Sequence, residues 1–406
     1  MRLILGLSSL FVSVMLLQMS SGGVGPLDAL SGLALGFSAG EIGLLGSAHF
    51  LGFFMGCWGA PRLLGRVGHA RSFAAFTALG AIGLMGHMML VDPWAWAAMR
   101  VASGICVAGC YTVIEGWLMA RSENADRGRV TSVYRISDMS AQLFAQLLIG
   151  VLPPAAYASY NALAILCCAA LLPLALSKAP QPVLSTAPRL RPALPWQRSP
   201  LATVAVMVSA LMASFRMVGP LYGQEIGLST PQIAWFLALF VLGGALVQLP
   251  TGWLADRFDR RWVLVGICAA AVLSCLSCAT TIRGPETAMI NGFLLGLATA
   301  PVYSIALSHA HDFTESHERA ELSAALLFYY AVGAISAPWL ASQLIVVFGP
   351  PAIYALIGAG HLGLLIFGLL RMRVRPAPEL RTSYVNAPRT SFVVGRLLRG
   401  MRDGKK

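Results

Sequence analysis

The feature that most constrains this chain is a loop motif present in two copies, about half the chain apart. Gly252–Arg261 reads G-W-L-A-D-R-F-D-R-R, and Pro61–Arg66 lies 191 positions before Gly252–Arg257. Further positions follow a shift of 191 or 192: Gly36 and Gly227, Ser38 and Ser229, Ile42 and Ile233, Leu51-Gly52 and Leu242-Gly243, Tyr111 and Tyr303. Internal repeats indicate a fold assembled from similar units. In membrane proteins a repeat of half the chain indicates two related helix bundles.

Composition places this repeat in a membrane. Charged residues make up 11% of the chain, against about 25% in soluble domains. A helix needs about 20 mostly apolar residues to cross a bilayer, and backbone groups in lipid must be satisfied within helices. The sequence predicts an all-α integral membrane protein with two pseudo-symmetric six-helix bundles. Its twelve predicted transmembrane helices are residues 4–28, 41–61, 72–91, 94–120, 130–151, 156–176, 199–223, 231–254, 262–281, 286–308, 322–347 and 351–371.

The basic residues predict the orientation of these helices. Of 29 Lys and Arg, only Arg283 falls in a predicted loop on the side away from the termini. The positive-inside rule then places both termini and every even-numbered loop in the cytoplasm, as in a multi-pass protein of a bacterial inner membrane. This asymmetry and the attraction of anionic lipids explain the net charge of +12. We therefore expect membrane lipids as partners and no nucleic acid.

A segment rich in Pro and Arg divides the chain. We predict an N-terminal six-helix bundle at 1–176, an extended cytoplasmic linker at 177–198, a C-terminal six-helix bundle at 199–371 and a basic cytoplasmic tail at 372–406. In the tail, apolar and basic residues from Phe392 to Arg402 alternate at near-helical spacing, which fits a helix on the membrane surface. A disordered basic tail is the alternative. The N-terminal apolar stretch is expected to be the first transmembrane helix, since the repeat needs a partner for the seventh.

The repeated loop and one transmembrane helix resemble the major facilitator superfamily. Gly252-x-x-x-Asp256-Arg257-x-x-Arg260-Arg261 matches its loop motif, and Arg100-x-x-x-Gly104 resembles an Arg-bearing motif of its proton-coupled antiporters. Ile114–Trp117 and Asp126–Arg129 look like a bacterial branch of largely unassigned substrate. The resemblance covers residues 1–371. It implies a secondary transporter that works by alternating access.

The chain departs from the family pattern in three places, one of which is Asp259 in place of a usual Gly in the second loop copy. The first loop copy has Pro61 and Gly65 where Gly and Asp are expected, which implies a weakened or differently built lock in the first half. The fifth transmembrane helix, from Ser140 to Gly150, lacks the Gly-Pro-rich motif of drug antiporters. This absence argues against drug export.

The loop motif is also the predicted cytoplasmic gate. By the resemblance, it holds the two bundles together on the cytoplasmic side in the outward-open state. A Gly permits close helix approach, an Asp at a helix end accepts hydrogen bonds, and arginines anchor to carboxylates, carbonyls and lipid phosphates. A plain basic loop set by topology is the alternative. The candidate gate residues are Gly252, Asp256, Arg257, Arg260 and Arg261, with Arg66 from the first copy.

Ionisable residues within the bilayer are the candidates for proton coupling, because each costs at least ~2.5–3.5 kcal/mol at the centre of a helix. Arg100, Tyr111 and Glu115 share one face of the fourth transmembrane helix. On the fifth, Arg135 and Asp138 begin a polar stripe. A carboxylate in apolar surroundings favours its protonated form and can carry a proton. We expect Asp138 to be the main proton carrier and Glu115 the second, with Arg135 and Arg100 as basic partners. Structural ion pairs of Arg135 with Glu115 or Asp138 are the alternatives.

The superfamily architecture implies that transmembrane helices 1, 4, 7 and 10 line the substrate cavity. Its candidate polar residues are Gln18, Asp28, Tyr111, Arg216, Tyr222, Asn291 and Tyr303. Arg100 and Arg216 both fall in the outer half of their helices, so the cavity is expected to be cationic there. A cationic cavity suits an anionic solute such as a carboxylate.

Catalytic motifs give no support for an enzyme. The sequence has no His-Glu-x-x-His metal motif and no phosphate-binding Gly-Lys-Ser/Thr loop. We expect no cofactor, no metal site and no drive by ATP. The predicted function is proton-coupled transport of a small solute by a monomer, with efflux favoured because Arg100 resembles the antiporter motif. The alternatives are an uptake permease for an organic anion or metabolite, and a receptor or scaffold with the same fold that moves nothing.

Overall fold

The computed structural model describes residues 7–122, 126–177, 189–280, 284–378, 381–384, 386–387 and 389–392, and within them regular structure is helical with no strand. Arg283, most of the linker (178–188) and tail residues 393–402 lie outside the described residues. Spans 6, 7, 8 and 10 each comprise two helical segments. The twelve spans are, in order, Ser8–Ala34, Ala39–Val67, His69–Gly86, Pro93–Arg121, Arg127–Ile149, Tyr157–Ala169 with Leu171–Ala175, Pro200–Ser209 with Met212–Glu225, Thr230–Leu246 with Gln248–Arg257, Arg260–Thr280, Pro285–Thr299 with Val302–Asp312, Arg319–Phe348, and Ala352–Val374.

The predicted all-α fold of twelve helices in two six-helix halves is confirmed. Ten of the spans are long and apolar enough to cross a membrane. The other two are span 3, which is 18 residues long, and span 5. Span 5 has a lower apolar content because Arg135, Asp138, Gln142 and Gln146 form a polar stripe along it.

The sequence repeat corresponds to repeated local structure. Gly36 and Gly227 have φ of 84° and 80°, in the left-handed region that favours glycine, where the chain turns between spans 1 and 2 and between spans 7 and 8. Two residues later, Ser38 and Ser229 each start a capping box at the N-terminus of the next span. The same turn and the same helix start therefore occur 191 residues apart.

Ser38 is also the serine of a Gly-x-Ser-x-Gly sequence at residues 36–40, a pattern found at the nucleophile of some hydrolases. Its hydroxyl donates to Glu41 at 2.8 Å and accepts from the backbone N–H of Glu41 at 3.2 Å. The residue follows a helix–turn rather than a strand. Ser38 therefore caps a helix.

Glycines bring equivalent helices of each half into backbone contact. A Cβ on Gly104 of span 4 would lie 2.0 Å from the His49 carbonyl oxygen of span 2. In the second half, a Cβ on Gly296 of span 10 would lie 2.0 Å from the Phe240 carbonyl oxygen of span 8. Any side chain at either glycine would force these helices apart. Close packing through small residues is how transmembrane helices associate without a hydrophobic driving force.

The spans end at two faces of the molecule. The basic face is the end of the spans at which Arg66, Arg121, Arg257 and Arg371 lie, and the opposite face is the other end. The two halves pack through spans 1 and 7, 2 and 11, and 5 and 8. Their closest contacts lie toward the opposite face, where a Cβ on Gly43 would be 2.2 Å from Ser342 Oγ and one on Gly150 would be 3.4 Å from Pro231 Cα.

The linker and the tail connect the halves at the basic face. The described part of the linker contains a short helix, Ala193–Arg198, where an extended segment was predicted. It docks on span 11 and the loop before it: Tyr329 donates to the Pro192 carbonyl at 3.0 Å, and Arg191 and Arg198 both pair with Glu318. The described tail residues turn inward from the basic face and lie between the two halves.

Candidate functional site

A cavity of about 250 Å³ lies at mid-depth between the two halves. This is slightly below the usual range of about 300–1,000 Å³ for small-molecule sites. Both halves and the tail contribute to its walls, and four arginines and one aspartate are among the polar groups. The polar lining includes Gln18, Arg100, Tyr111, Arg135, Asp138, Gln142, Arg216, Gln248, Tyr330 and Arg389.

Asp138 is the acidic residue of this cavity wall. Tyr111 Oη lies 2.5 Å from one carboxylate oxygen of Asp138 and 2.6 Å from Gln18 Oε1, so its hydroxyl is shared between two acceptors. Arg135 Nη1 donates to the other Asp138 oxygen at 3.2 Å, one helical turn away on span 5. Spans 1, 4 and 5 thus meet at one carboxylate. Its hydrogen-bond partners hold it at the edge of the cavity.

Arg100 also reaches the cavity, but its charge is compensated behind the wall. Its Nε lies 3.4 Å from Asp28, and both side chains are almost fully buried. Asp28 also accepts from Tyr160 at 2.9 Å and lies 3.6 Å from His87 Nε2. Buried ions of opposite sign reduce each other's desolvation cost. Asp28 therefore compensates the charge of Arg100 within the first half.

Arg216 is the cavity's basic residue from the second half. It lies on span 7 and is partly buried. Among the described residues, no acidic side chain forms an ion pair with it. Its guanidinium therefore faces the cavity with unused donors. A cation in such a position attracts an anionic group.

Glu115 is fully buried, toward the basic face from the cavity. Tyr134 donates to it at 2.9 Å, and the hydroxyls of Thr390 and Ser391 in the tail also donate to its oxygens. Arg135, which was weighed as its partner, instead bonds Asp138. Glu115 and Asp138 thus have separate hydrogen-bond partners.

The structure divides the residues predicted to line the substrate cavity. Gln18, Tyr111 and Arg216 line it. The other four are not among the described residues that line the cavity, so their placement differs from the prediction. Asp28 lies behind Arg100, Tyr222 packs against Tyr354 with ring centroids 4.9 Å apart, Asn291 accepts from Ser277 at 3.2 Å, and Tyr303 lies under Arg389.

Four of the predicted gate residues lie in a cluster at the basic end of spans 8, 9 and 10, and three of them, Asp256, Arg260 and Arg261, form side-chain hydrogen bonds there. Arg260 is buried and donates to both oxygens of Asp312 at 2.6 Å and to the Ser308 carbonyl at 2.9 Å. Asp256 accepts from Arg260 at 3.4 Å. A Cβ on Gly252 would lie 2.9 Å from the ring of tail residue Tyr384. The partners of the cluster therefore lie in the second half and the tail.

Arg261 completes this cluster through Asp259. It donates to Asp259 at 2.6 Å and to the Arg375 carbonyl at 2.6 Å. Burial works to raise the pKa of Asp259, but the hydrogen bonds from Arg261 outweigh it and hold that pKa below its usual range. The remaining two gate residues lie outside the cluster: Arg257 lies over the Trp253 ring at 5.3 Å, and Arg66 is exposed.

Sequence reasoning missed the contribution of the tail to the site. Phe392 was considered as part of a helix on the membrane surface, yet it is 5% exposed and packs near Phe54. Arg389 was not singled out, although it lines the cavity. The available signal was the polar stretch Arg381–Ser391, which has no apolar face for lipid. Within the described residues, no group of His, Cys, Asp and Glu is arranged to hold a metal ion.

Two helix bundles around a central polar cavity define a class of protein, the two-bundle secondary transporters. The sequence profile described as the Major Facilitator Superfamily matches residues 10–230 and 201–402. The chain belongs to the Major Facilitator Superfamily. It is a multi-pass membrane protein and a secondary transporter of small molecules, and not an enzyme.

The similar proteins support this assignment. An uncharacterized MFS-type transporter of Enterobacter sp. (strain 638) is 26% identical over 350 residues, covering 86% of this chain and 89% of that protein. An uncharacterized MFS-type transporter of Salmonella enteritidis PT4 (strain P125109) is 26% identical over 308 residues, covering 75% and 79%. The crystal structure of the nucleoside transporter NupG has a TM-score of 0.73 at 14% identity, covering 92% of this chain and 100% of that one. A D-xylose-proton symporter has a TM-score of 0.66 at 14% identity, covering 92% and 98%.

Proposed function

We propose that this chain is a proton-coupled transporter of a small organic anion that works by alternating access. The observation that carries the proposal is the carboxylate of Asp138 on the cavity wall, paired with Arg135 at 3.2 Å. In the proposed mechanism, the ion pair of this carboxylate with its arginine breaks when the cavity changes its access to water. The carboxylate then binds a proton. Protonation of Asp138 therefore changes the charge of the cavity at the site where the substrate binds.

Arg216 supports an anionic substrate. Two cavity arginines have no acidic partner among the described residues, Arg216 and Arg389, and Arg389 instead lies over the rings of Tyr303 and Tyr330. Arg100 pairs with Asp28, and Arg135 with Asp138. A carboxylate or phosphate on the solute would supply the missing counter-ion in a bidentate geometry. Protonation of Asp138 increases the net positive charge around the cavity. Proton binding and anion binding therefore favour each other.

The positive-inside rule supports an inner-membrane location with the basic face and both termini in the cytoplasm. With that orientation, contacts such as Gly43–Ser342 hold the halves together on the outer side. The conformation is then inward-facing. A bacterial homologue of the human lysosomal transporter Spinster, in an inward-facing and occupied conformation, has a TM-score of 0.70 at 14% identity, covering 91% of this chain and 94% of that one. Export is the proposed direction, from the likeness of Arg100 to the antiporter motif. Uptake is the alternative, and it is the direction favoured if a proton and an anion bind together, because both would then cross the membrane in the same direction.

The test is flux in proteoliposomes under an imposed pH gradient, screened over small organic acids and amphipathic cations. Accumulation of an acid that follows the gradient supports the proposal, and the sign of the gradient that drives it gives the direction. Arg216→Gln should raise the KM for that acid about tenfold, as expected for the loss of one charge-assisted contact. Arg373→Gln, which removes an exposed arginine at the basic face, is the matched control.

Two results would argue for other functions. Flux of cations but not of acids would contradict the anionic substrate while leaving the transporter intact. Specific binding of an acid without flux would favour a receptor of the same fold. The proposed working unit is a monomer, because the two bundles needed for alternating access belong to one chain, and it is embedded in lipids that contact the basic face.

A further inference from the structure

The C-terminal tail runs from the basic face deep into the space between the two halves. The tail segment is defined here as the described residues from Arg381 to Phe392. At its start, the Thr382 backbone N–H donates to Asp312 at 2.8 Å, at the end of span 10. Near its other end, Arg389 donates to the Ala300 carbonyl at 3.2 Å. These two partners are twelve residues apart on one span, so the tail penetrates by about 18 Å.

The outer part of the tail segment binds the cluster that includes the repeated loop. Tyr384 donates its backbone N–H to Asp256 at 2.6 Å, and its hydroxyl donates to Gln248 at 3.1 Å. Its ring covers Gly252 so closely that a Cβ there would meet it at 2.9 Å. Arg260 donates to the hydroxyl and the carbonyl of Thr382. The residues that the family uses at its gate thus bind this chain's own tail.

The inner part of the tail segment binds at the floor of the cavity. The guanidinium of Arg389 lies 5.2 Å from the centroid of the Tyr303 ring and 5.3 Å from that of Tyr330. Both distances are within the range of a cation–π interaction, which is strengthened where water is excluded. The Ala387 backbone N–H donates to Ser304 at 3.3 Å. Span 10 therefore offers a backbone acceptor, a hydroxyl and an aromatic ring to one short stretch of tail.

The end of the tail segment crosses to the first half. Thr390 and Ser391 donate their hydroxyls to the two oxygens of Glu115 on span 4. The Phe392 ring lies 6.4 Å from the Phe54 ring on span 2. Ser391 and Phe392 are both buried. A single segment thus contacts both bundles where they must approach each other during transport.

We propose that the tail segment is a tethered inhibitor that holds the halves apart at the basic face and closes the cavity from that side. Alternating access requires the halves to converge at the basic face as they separate at the opposite face. The tail segment occupies the space needed for that movement. The inference rests on alternating access, but on neither the coupling ion nor the direction of transport.

The strength of this inhibition depends on how often the tail segment is bound. A tethered segment competes at an effective concentration in the millimolar range. If the tail segment is bound in about nine-tenths of the molecules, only about one-tenth are able to change conformation. Removing the tail then increases that fraction about tenfold. A cytoplasmic partner that binds the tail would have the same effect as removing it.

The first test measures binding of the tail as a separate peptide. The probe is a fluorescently labelled peptide of residues 381–392, and the receptor is a chain that ends at Pro378. We expect saturable binding to the shortened chain and at least tenfold weaker binding to the full chain, whose own tail competes. Arg389→Ala in the peptide should weaken binding about tenfold. Arg381→Ala is the same change at an exposed residue, whose side chain hydrogen-bonds the Phe258 carbonyl and no other described residue. It should change binding by less than about threefold.

The second test measures the conformation. Ser342 is buried against Gly43 at the opposite face. In a Cys168→Ser background, which removes the one exposed native cysteine among the described residues, Ser342→Cys should react slowly with a membrane-impermeant maleimide. The chain that ends at Pro378 should react about tenfold faster, and the added peptide should restore the slow rate.

Each possible result decides the proposal. Equal peptide binding by the two chains, or no binding, would show that the tail segment has no separate site and would overturn it. Peptide binding with unchanged maleimide labelling would also overturn it, because the tail would then bind without restraining the halves. If the shortened chain is not monodisperse, the full chain with Arg389→Ala and Ser391→Ala replaces it. Faster labelling in that variant supports the proposal. None of these readouts uses a proton gradient or a transported solute, so the proton-coupling proposal can fail independently.

Discussion

The two halves share a helix scaffold but use acidic residues differently. In the first half, Asp28, Glu115 and Asp138 are buried within spans. Among the described residues of the second half, every Asp and Glu lies in a loop or within three residues of a span end, as Asp256 and Asp312 do. A buried carboxylate changes its charge only by binding or releasing a proton. One at a span end can pair with neighbouring bases and water. The comparison supports the proposal that proton coupling belongs to the first half, and it leads us to propose that gating belongs to the second.

The strongest test of this comparison is Asp138→Asn. Asparagine can still accept the hydrogen bond from Tyr111, and it removes the carboxylate that is proposed to exchange a proton. We expect accumulation driven by the pH gradient to fall to its level without a gradient, with exchange of solute across the membrane retained. Gln142→Ala, one turn along the same polar stripe, should leave the coupling intact. Coupling that survives Asp138→Asn would remove this residue from the mechanism and would leave Glu115 as the candidate.

Asp28→Asn should act on stability rather than on coupling. Arg100 and Asp28 are almost fully buried, so the substitution leaves a cation without its counter-ion. Removing one partner of a buried pair costs about 3–5 kcal/mol, and we expect a marked fall in the temperature of thermal unfolding in detergent. Asp92→Asn is the control, since Asp92 caps span 4 at the exposed opposite face, and losing part of a cap costs about 1 kcal/mol or less. If the two variants unfold alike, the Arg100–Asp28 pair contributes little.

The contrast between these two residues explains what the sequence could predict. Hydropathy and the shift of 191 residues are local or periodic signals, so the twelve spans, the paired turns at Gly36 and Gly227 and the two-half fold follow from them. Asp138 and Arg135 are one helical turn apart, so their pairing was among the alternatives weighed. Asp28 and Arg100 are 72 positions apart. No rule based on sequence spacing predicts a contact between residues so far apart in the chain. Asp28 was therefore assigned to the cavity wall.

The tail was unpredictable for a related reason. Its binding site is formed by residues from spans 2, 4, 8, 9, 10 and 11, which are distant in sequence and do not share a pattern. Thr382, Arg389 and Ser391 carry ordinary polar side chains. Their partners, such as the Ala300 carbonyl, are backbone groups that any residue would supply. Only the folded arrangement shows that these acceptors line one path.

The two loop copies provide a smaller test of the same comparison. Asp256→Asn weakens the second-half cluster, whereas Gly65→Asp adds a carboxylate at a position whose Cβ would meet nothing within 4 Å. We compare both in the chain that ends at Pro378, so that the tail contact of Asp256 plays no part. Asp256→Asn should lower the transport rate about fivefold. A fivefold change corresponds to about 1 kcal/mol, which is the contribution expected of a half-exposed ion pair. Gly65→Asp should leave the rate close to that of the parent chain. Equal effects would mean that the gate depends on both halves alike.

The smallest expected effect concerns the linker that joins the halves. Arg198 and Arg191 hydrogen-bond Glu318 and hold its pKa below its usual range. A carboxylate whose pKa is lowered by folding contributes stability above its unfolded pKa, and loses it as pH falls through the lower, folded value. Glu318→Gln should therefore lower the thermal stability slightly at neutral pH. The difference from the parent chain should shrink below about pH 4.5, the usual range of a Glu side chain, as measured by unfolding curves over a pH series. Glu315→Gln is the control, because Glu315 in the same loop is exposed and, among the residues that the structure describes, its ionic partner is His317 alone. A difference that persists unchanged at low pH would mean that Glu318 acts through packing, and the linker would then join the halves without an ionic contact.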